Sequence, residues 1–248
     1  GLYASNMISA PLTQSIGRIL TRAVRIGYLE RGAQGTSVTG FIFNSDTAVG
    51  SRLEGGADIT YKWDGALNGD IGVSFVSNIS DSQGMQSTGG PGAFTGFGMS
   101  TATDTLVHRV PGIDVHSKLN FKKFGFLAEY VSGLRPFAMQ DMSFNGHGAT
   151  PSAFNLEASY SFDLFNKPAS FALGYGQSYQ GLALNLAKNR YSGVFNISLF
   201  RNTIQSLEYR HDVNYGTGTT ASGAGLPITS AGLGRHQDLL LFQMGVYF

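Results

Sequence analysis

Apolar and polar residues alternate with a period of two along most of this 248-residue chain. In the stretch GADITYKW, for example, Ile59, Tyr61 and Trp63 alternate with Asp58 and Thr60. Because successive side chains of a β-strand point to opposite faces, this spacing predicts strands with one apolar and one polar face. The pattern recurs in roughly a dozen segments of about ten residues, the length of a tilted strand that spans a membrane. An all-β fold is therefore expected.

The connections between these segments alternate between short turns and long loops rich in Gly, Ser and Thr. Outer-membrane barrels have short turns at the periplasmic end and longer loops at the external end. The alternation therefore predicts an antiparallel up-and-down sheet and also its orientation. The short turns are expected at residues 64–68, at Lys122, at 163–168 and at 201–202, and the long loops at 79–111, 133–151, 179–188 and 212–235.

Composition favours a barrel in a membrane over a soluble β-sandwich. Charged residues make up only 13% of the chain, whereas 34 residues are Gly and 12% are aromatic. A soluble domain carries about a quarter charged residues and places Lys and Glu on its wet face. Aromatic residues also recur at the ends of the expected strands, as in the interfacial girdle of a membrane barrel. No stretch of about 18 uncharged apolar residues offers a membrane-spanning helix.

The expected fold is thus a transmembrane antiparallel up-and-down β-barrel of about 12 strands. Residues 1–248 are expected to form this single domain in the outer membrane of a Gram-negative bacterium. The chain opens without a basic and apolar leader, so a trimmed or truncated form of an exported protein is expected. A net charge of +1 argues against nucleic acid as a partner. The absence of cysteine excludes disulfides and thiolate metal sites.

Three segments near the start of the chain carry a family resemblance: Asn6 to Thr13, Ala23 to Tyr28 and Phe43 to Asp46. They read NMISAPLT, AVRIGY and FNSD, and in this order they resemble the LbtU-like family of outer-membrane siderophore porins. The likeness covers residues 1–85, and the rest resembles a barrel only in general pattern. Ser45 stands where the family pattern has Gly, and the family's upstream periplasmic segment and first strands have no counterpart here.

The resemblance implies an outer-membrane pore for a ferric siderophore that works without an energised plug. It also implies that the chain is the later part of a barrel of about 16 strands, whereas about 12 strands could close by themselves. A general diffusion porin for small solutes is an alternative. A translocator barrel of the autotransporter type, also with about 12 strands, is another. The translocator would have a helix in its lumen, but residues 13–24 are expected to form a loop or a short lumen-facing turn.

Charged residues on the expected wet face are the candidate ligand-binding residues. Arg18, Arg22 and Arg25 form the densest basic group, and guanidinium groups bind carboxylates of the kind an anionic ferric siderophore carries. Ordinary rim or lumen charges are the alternative reading of these arginines. The further lumen candidates are Asp58, Lys62, Asp114, His116, Lys118, Glu129, Glu157, Arg190 and Arg210, with Asp70 and Glu208 on the same expected face.

No cofactor, metal or catalytic site is expected. His116 shares a strand face with Asp114 and Lys118, but nearby positions on one strand supply too few metal ligands. A barrel phospholipase would need a Ser nucleophile beside a His base on the outside of the barrel. No such pair falls on an expected outward face, so the protein is not expected to be an enzyme.

The chain ends in LFQMGVYF, whose apolar residues again fall at every second position. Phe242, Met244, Val246 and Phe248 share one strand face, and Gly245 lies on the other. A last strand with a terminal aromatic is expected to be taken by the outer-membrane assembly machinery through edge addition. A merely packed terminus is the alternative. The expected partners are this machinery, outer-membrane lipid, and a ferric siderophore or another small solute.

Overall fold

The computed structural model describes residues 5–45, 47, 53–86, 96–97, 106–223 and 230–247. Its strands form one sheet of eleven strands and a smaller sheet of four. In chain order they are β1 (Ala23–Tyr28), β2 (Gly35–Asn44), β3 (Leu53–Trp63), β4 (Leu67–Val76), β5 (Gly112–Phe121), β6 (Phe124–Gly133), β7 (Met142–Phe144), β8 (His147–Gly148), β9 (Ser152–Leu164), β10 (Lys167–Tyr179), β11 (Asn189–Ile197), β12 (Thr203–Val213), β13 (Thr220–Gly223), β14 (Ser230–Ala231) and β15 (His236–Val246). Two short helices, α1 (Leu12–Gly17) and α2 (Gln83–Gln86), and a 3₁₀ turn at Ile79–Asp81 complete the described elements. No helix in these ranges is long and apolar enough to cross a membrane.

The eleven strands of the large sheet lie side by side in chain order, β1-β2-β3-β4-β5-β6-β9-β10-β11-β12-β15. Every neighbouring pair is antiparallel. The predicted all-β, up-and-down architecture is therefore confirmed. The described sheet contains one strand fewer than the expected number, and its two edges are β1 and β15.

The connections of the large sheet alternate between short and long, as the sequence predicts. Two residues join β9 to β10, and both of them, Phe165 and Asn166, have positive φ angles of 52° and 57°. This is the backbone of a type I′ turn, whose twist matches that of the paired strands. At the opposite end, residues 77–111, 134–151, 180–188 and 214–235 separate consecutive strands. The first end is called the turn end below, and the second the loop end.

The two faces of the large sheet differ in polarity and in exposure. On β9, Leu156 and Tyr160 are exposed, while Asn155 and Glu157, which flank Leu156, are buried. Register partners project to the same face, so the alternation extends from strand to strand across the sheet. The face that carries Leu156 is called the apolar face, and the face that carries Glu157 the polar face. The polarity is thus the reverse of that in a soluble sheet, which buries its apolar face.

Apolar packing is concentrated at the loop end, where the loops fold over the ends of the strands. This cluster, called the cap, comprises Leu12, Ile16, Ile79, Met85, Phe97, Leu106, Val110, Val131, Phe137, Met142, Ala149, Ala153, Ala183, Leu184, Leu186 and Ala221. The smaller sheet, in the order β14-β13-β7-β8, lies within the same loops. The rings of Phe97 and Phe137 stack with centroids 5.7 Å apart.

One carboxylate is buried beside the cap. Asp141 accepts hydrogen bonds from the Val107 amide at 3.2 and 3.0 Å. Burial raises the pKa of Asp141 above its ordinary value, and the Val107 hydrogen bonds oppose this shift only in part. A group whose ionisation opposes folding therefore lies beside the cap.

Residues 5–19 cross the polar face and are called the crossing segment. Within it, α1 begins after Pro11, whose φ of −63° fits a helix start, and ends before the extended Arg18. Helix α1 contacts β6, β9 and β10. Sequence predicts a loop or a short turn facing the interior here, and the structure has a six-residue helix at that place. Because a single short segment reaches several strands, the polar face must curve around it.

Candidate functional site

The polar face and the crossing segment together form the candidate site. All of the charged residues predicted to share a wet face lie on the polar face, as the strand registers show. They are Arg25, Asp58, Lys62, Asp70, Asp114, His116, Lys118, Glu129, Glu157, Arg190, Glu208 and Arg210. The sequence therefore predicts their shared face, although not which of them touch one another.

The acidic residue Glu157 of β9 holds the start of the crossing segment. Its Oε1 accepts hydrogen bonds from the backbone N–H of Asn6 at 3.0 Å and from the Asn6 side-chain amide at 2.6 Å. Its Oε2 accepts a hydrogen bond from the Ser5 hydroxyl. Hydrogen bonds to an ionised acceptor are about twice as strong as neutral ones. A single buried carboxylate thus fixes two consecutive residues.

Two further glutamates repeat this arrangement along the segment. Glu208 of β12 accepts hydrogen bonds from the backbone N–H groups of Ile8 and, at 2.9 Å, of Ser9. Glu129 of β6 accepts a hydrogen bond from the Thr13 hydroxyl at the start of α1. All three glutamates are buried. Three carboxylates on three different strands therefore hold the segment at three successive points.

Two arginines of the polar face donate hydrogen bonds to the crossing segment. Arg190 donates to the Ala10 carbonyl at 3.0 Å and, through Nε and Nη2, to both carboxylate oxygens of Asp212 at 2.8 and 2.9 Å. Arg210 donates to the Ser9 hydroxyl at 3.0 Å. The Asp212 pair fixes the Arg190 guanidinium in a bidentate geometry. The segment is thus bound by acceptors and donors together.

The opposite part of the polar face, on β3 to β5, carries a second group of charges. Ser74 donates to Asp58 at 2.6 Å, and Asp114 lies 2.6 Å from Nδ1 of His116. Asp70 is the register partner of both Lys62 and Lys118 on the neighbouring strands. Among the described residues, no three His, Cys, Asp or Glu side chains are arranged to hold a metal ion.

A cavity of about 390 Å³ lies between this second group and the crossing segment. Its lining includes Arg25, Asp58 and Asp114, together with the stacked rings of Phe41 and Phe43. Charged and aromatic groups therefore face one space that is large enough for part of a small solute.

The three arginines of the predicted basic cluster lie in different elements. Arg18 directly follows α1, Arg22 lies in the connection to β1, and Arg25 is on β1. All three are exposed, and Arg25 lines the cavity. Whether they bind a ligand stays a prediction.

Glu54 and Asp212 are charged residues of the polar face that the sequence analysis missed. Buried Glu54 lies 2.6 Å from Arg109 in an ion pair, and Asp212 pairs with Arg190. Asp212 lies at a strand end that the sequence assigns to a connection, and Glu54 precedes the stretch from Gly56 in which the sequence shows alternation. The period-two signal could have found them, because Glu54 is in phase with Asp58 and Asp212 is in phase with Arg210.

The last strand has the face pattern that the sequence predicts. Phe242, Met244 and Val246 lie on the apolar face and are exposed, while Gly245 lies on the other face. The strand ends at the turn end. Phe248 lies outside the described residues, so the assembly-signal hypothesis stays a prediction.

Comparisons with known proteins find similar chains whose names state no activity. This chain is 40% identical over 256 residues to a UPF0422 protein of Legionella pneumophila (strain Lens) and 37% identical over 259 residues to one of Coxiella burnetii (strain RSA 493 / Nine Mile phase I). Each match covers the whole of this chain, but 48% and 53% of the respective relative. The chain thus spans about half the length of the curated relatives it matches. No protein-family model and no solved structure matches it.

Proposed function

We propose that this chain forms the wall and the internal gate of an outer-membrane channel for small polar solutes. The observation that carries the proposal is the reversed polarity of the large sheet, whose apolar face is exposed while most carboxylates of its polar face, such as Glu129, Glu157 and Glu208, are buried. Lipid accepts an exposed apolar face, while a buried polar face needs water or hydrogen-bond partners. A soluble protein of this size would expose no comparable apolar surface.

The exposed apolar residues extend from one edge of the sheet to the other. Representatives from the first strand to the last are Ile26, Ile59, Val73, Leu156 and Phe242. Tyrosines near the strand ends, such as Tyr179 and Tyr191, suit the level of the lipid headgroups. Outer-membrane lipid is therefore the partner that we propose for the apolar face.

The crossing segment is the proposed gate, because it occupies the face along which a solute would move. Its hydrogen bonds to Glu129, Glu157 and Glu208 can each be exchanged for bonds to water or to a solute. Glu208 Oε1 is buried without a hydrogen-bond partner in the described ranges, so it could accept a further hydrogen bond from water or from a solute. Conduction then requires the segment to leave the polar face.

The solute that we propose is a ferric siderophore. The proposal is based on the family resemblance, one part of which, Asn6 to Thr13, lies within the crossing segment. Arg25 beside the 390 Å³ cavity offers a donor for a siderophore carboxylate. A general diffusion channel for other small solutes is the second candidate, because the polar face carries charges of both signs.

The test is conductance of the complete natural chain in a planar lipid bilayer, with a disulfide that locks the gate. A Cβ placed on Gly17 would lie 3.7 Å from the Cβ of Val131, which suits a disulfide in the variant Gly17→Cys/Val131→Cys. The control variant Leu207→Cys/Phe242→Cys joins register partners on the apolar face. Residues 1–248 contain no cysteine that could compete.

We expect the oxidised lock to abolish most of the conductance and a reductant to restore it, while the control conducts in both states. Block by a ferric carboxylate siderophore at lower concentration than by its iron-free form would support the siderophore proposal. Arg18→Gln/Arg22→Gln/Arg25→Gln should then weaken this block. Equal block by both forms would favour the general channel. A lack of any conductance would contradict the channel and favour a translocator barrel.

A further inference from the structure

The large sheet has two free edges in the part of the chain that the structure describes. Strand β1 pairs only with β2, and β15 pairs only with β12. Each edge therefore leaves a row of backbone N–H and C=O groups without a partner strand. In lipid such groups cost several kcal/mol each, so an open edge is not tolerated there.

The direction of the two edge strands limits what can close the sheet. Neighbouring strands alternate in direction, so the first and last of eleven run the same way. Both β1 and β15 run from the loop end toward the turn end. Direct pairing of β1 with β15 would therefore be parallel, and so would pairing with a second copy inserted in the same orientation. An antiparallel seam, the rule in bacterial barrels, needs an odd number of strands between the edges.

The edge strands β1 and β15 resemble interior strands of the sheet in the types of side chain they carry. Solvent-exposed natural edges are blunted by charged side chains, Pro or bulges. Strands β1 and β15 have no Pro and no bulge, and their charged residues are Arg25 on the polar face and Asp238 at the loop end. On the apolar face Ile26 is 81% and Phe242 71% exposed, compared with 44% for Val73 and 43% for Phe171 on inner strands. The additional exposure is what the loss of one neighbouring strand produces.

We propose that an odd number of strands from outside residues 1–248 of the same polypeptide pair with both β1 and β15 and close the sheet. The relatives supply the argument for this occupant, because about half of their length lies outside the match. The proposal rests on the proposed membrane setting, since lipid is what forbids the open edges.

Disulfide mapping in the complete natural chain tests whether the two edges meet. The test variants combine a cysteine at Val24 or Ile26 with one at Leu240 or Phe242. Two control variants pair the same strands with their known neighbours, Val24→Cys/Ile42→Cys and Leu207→Cys/Phe242→Cys. We expect both controls to cross-link and no test pair to do so. A cross-linked test pair within one chain or between two chains would overturn the proposal.

Amide exchange of β1 supplies the positive readout. Successive N–H groups of a strand point alternately to its two neighbours. If another strand pairs with β1, every amide of β1 should exchange more slowly than loop amides, by a factor on the order of 100 or greater. Fast exchange at every second amide of β1 would show an open edge and overturn the proposal.

Membrane fractionation of the same sample separates this inference from the proposed function. A chain recovered outside the membrane would contradict the channel, while the cross-link and exchange results would still decide how the sheet is closed.

Discussion

The cap and the part of the polar face that holds the crossing segment are both buried, but different interactions hold them. In the cap, side chains such as Phe137 and Met142 pack without polar partners, and their stability comes from apolar area removed from water. On the polar face, Glu157 and Glu208 hold the crossing segment by hydrogen bonds that water could replace. The comparison indicates a stable lid of loops at one end and an exchangeable contact in the interior.

Helix α1 connects these two regions. Its Leu12 and Ile16 belong to the cap, whereas Thr13 donates to Glu129 on the polar face. The start of the segment, from Ser5 to Ala10, has hydrogen bonds to the polar face but no residue in the cap cluster. We therefore expect the start of the segment to open more easily than α1.

The largest effect is expected from Phe137→Ala in the cap. Removing a buried aromatic side chain costs about 3–5 kcal/mol, and here the Phe97 ring also loses its stacking partner. Exchange of the Ala149 amide, which bonds to Met142 within the cap, should accelerate accordingly. The exposed residue Leu233 supplies the control variant Leu233→Ala. Unchanged exchange in Phe137→Ala would contradict an apolar cap core.

An arginine on the apolar face should have the next largest effect. Val73→Arg places a charge in the middle of β4, where lipid would cost it about 2–4 kcal/mol. Thr60→Arg on the polar face of β3 is the matched control, and we expect it to cost much less because Asp58 lies two positions away on that face. Urea unfolding of the complete natural chain in lipid bilayers measures both. Equal costs for the two variants would contradict the assignment of the faces.

Removing two carboxylate charges from the polar face should release the crossing segment. Glu157→Gln/Glu208→Gln keeps the side-chain shapes but weakens each set of hydrogen bonds by about 1–1.5 kcal/mol. The two sites lie three strands apart, roughly 14 Å, but they hold the same segment, so the double variant should release it further than either single variant. We expect faster amide exchange at Asn6 and Ser9 in this variant. The control variant Asp163→Asn, on the same face, should leave their exchange unchanged. No change would mean that other contacts hold the segment.

The smallest expected effect is a pH dependence of the cap. Because burial raises the pKa of Asp141, its contribution to cap stability is fully present below its ordinary pKa. That contribution is lost as the pH rises through the higher folded-state value. Exchange of the Ala149 amide across this pH range should show the loss, and Asp141→Asn should remove it. A dependence in the opposite direction would contradict the burial of this carboxyl group.

The sheet could be predicted from the sequence because its signal is local. Alternation within segments such as FNLEASYSF places Leu156 and Glu157 on opposite faces with no knowledge of their neighbours. The short strands of the cap could not be found this way, since β8 and β14 have two residues each. Two residues are too few to show a period.

The contacts of the crossing segment could not be predicted from the sequence either. The sequence separates Ile8 from Glu208 by 200 positions, and Thr13 from Glu129 by 116. Nothing in the local pattern of NMISAPLT indicates an acidic partner on a distant strand. In the sequence the segment is distinguished only by its resemblance to a family, and the fold supplies its partners.

The central claim is that the apolar face contacts lipid while the polar face does not. It is tested most directly by spin labels placed one at a time along β9, from residue 155 to 161, in the complete natural chain in outer membranes. We expect labels at Leu156, Ala158 and Tyr160 to be accessible to oxygen but not to a water-soluble nickel complex. A label at Ser161 should show the reverse. Equal access of the nickel complex to both sets of positions would contradict the account.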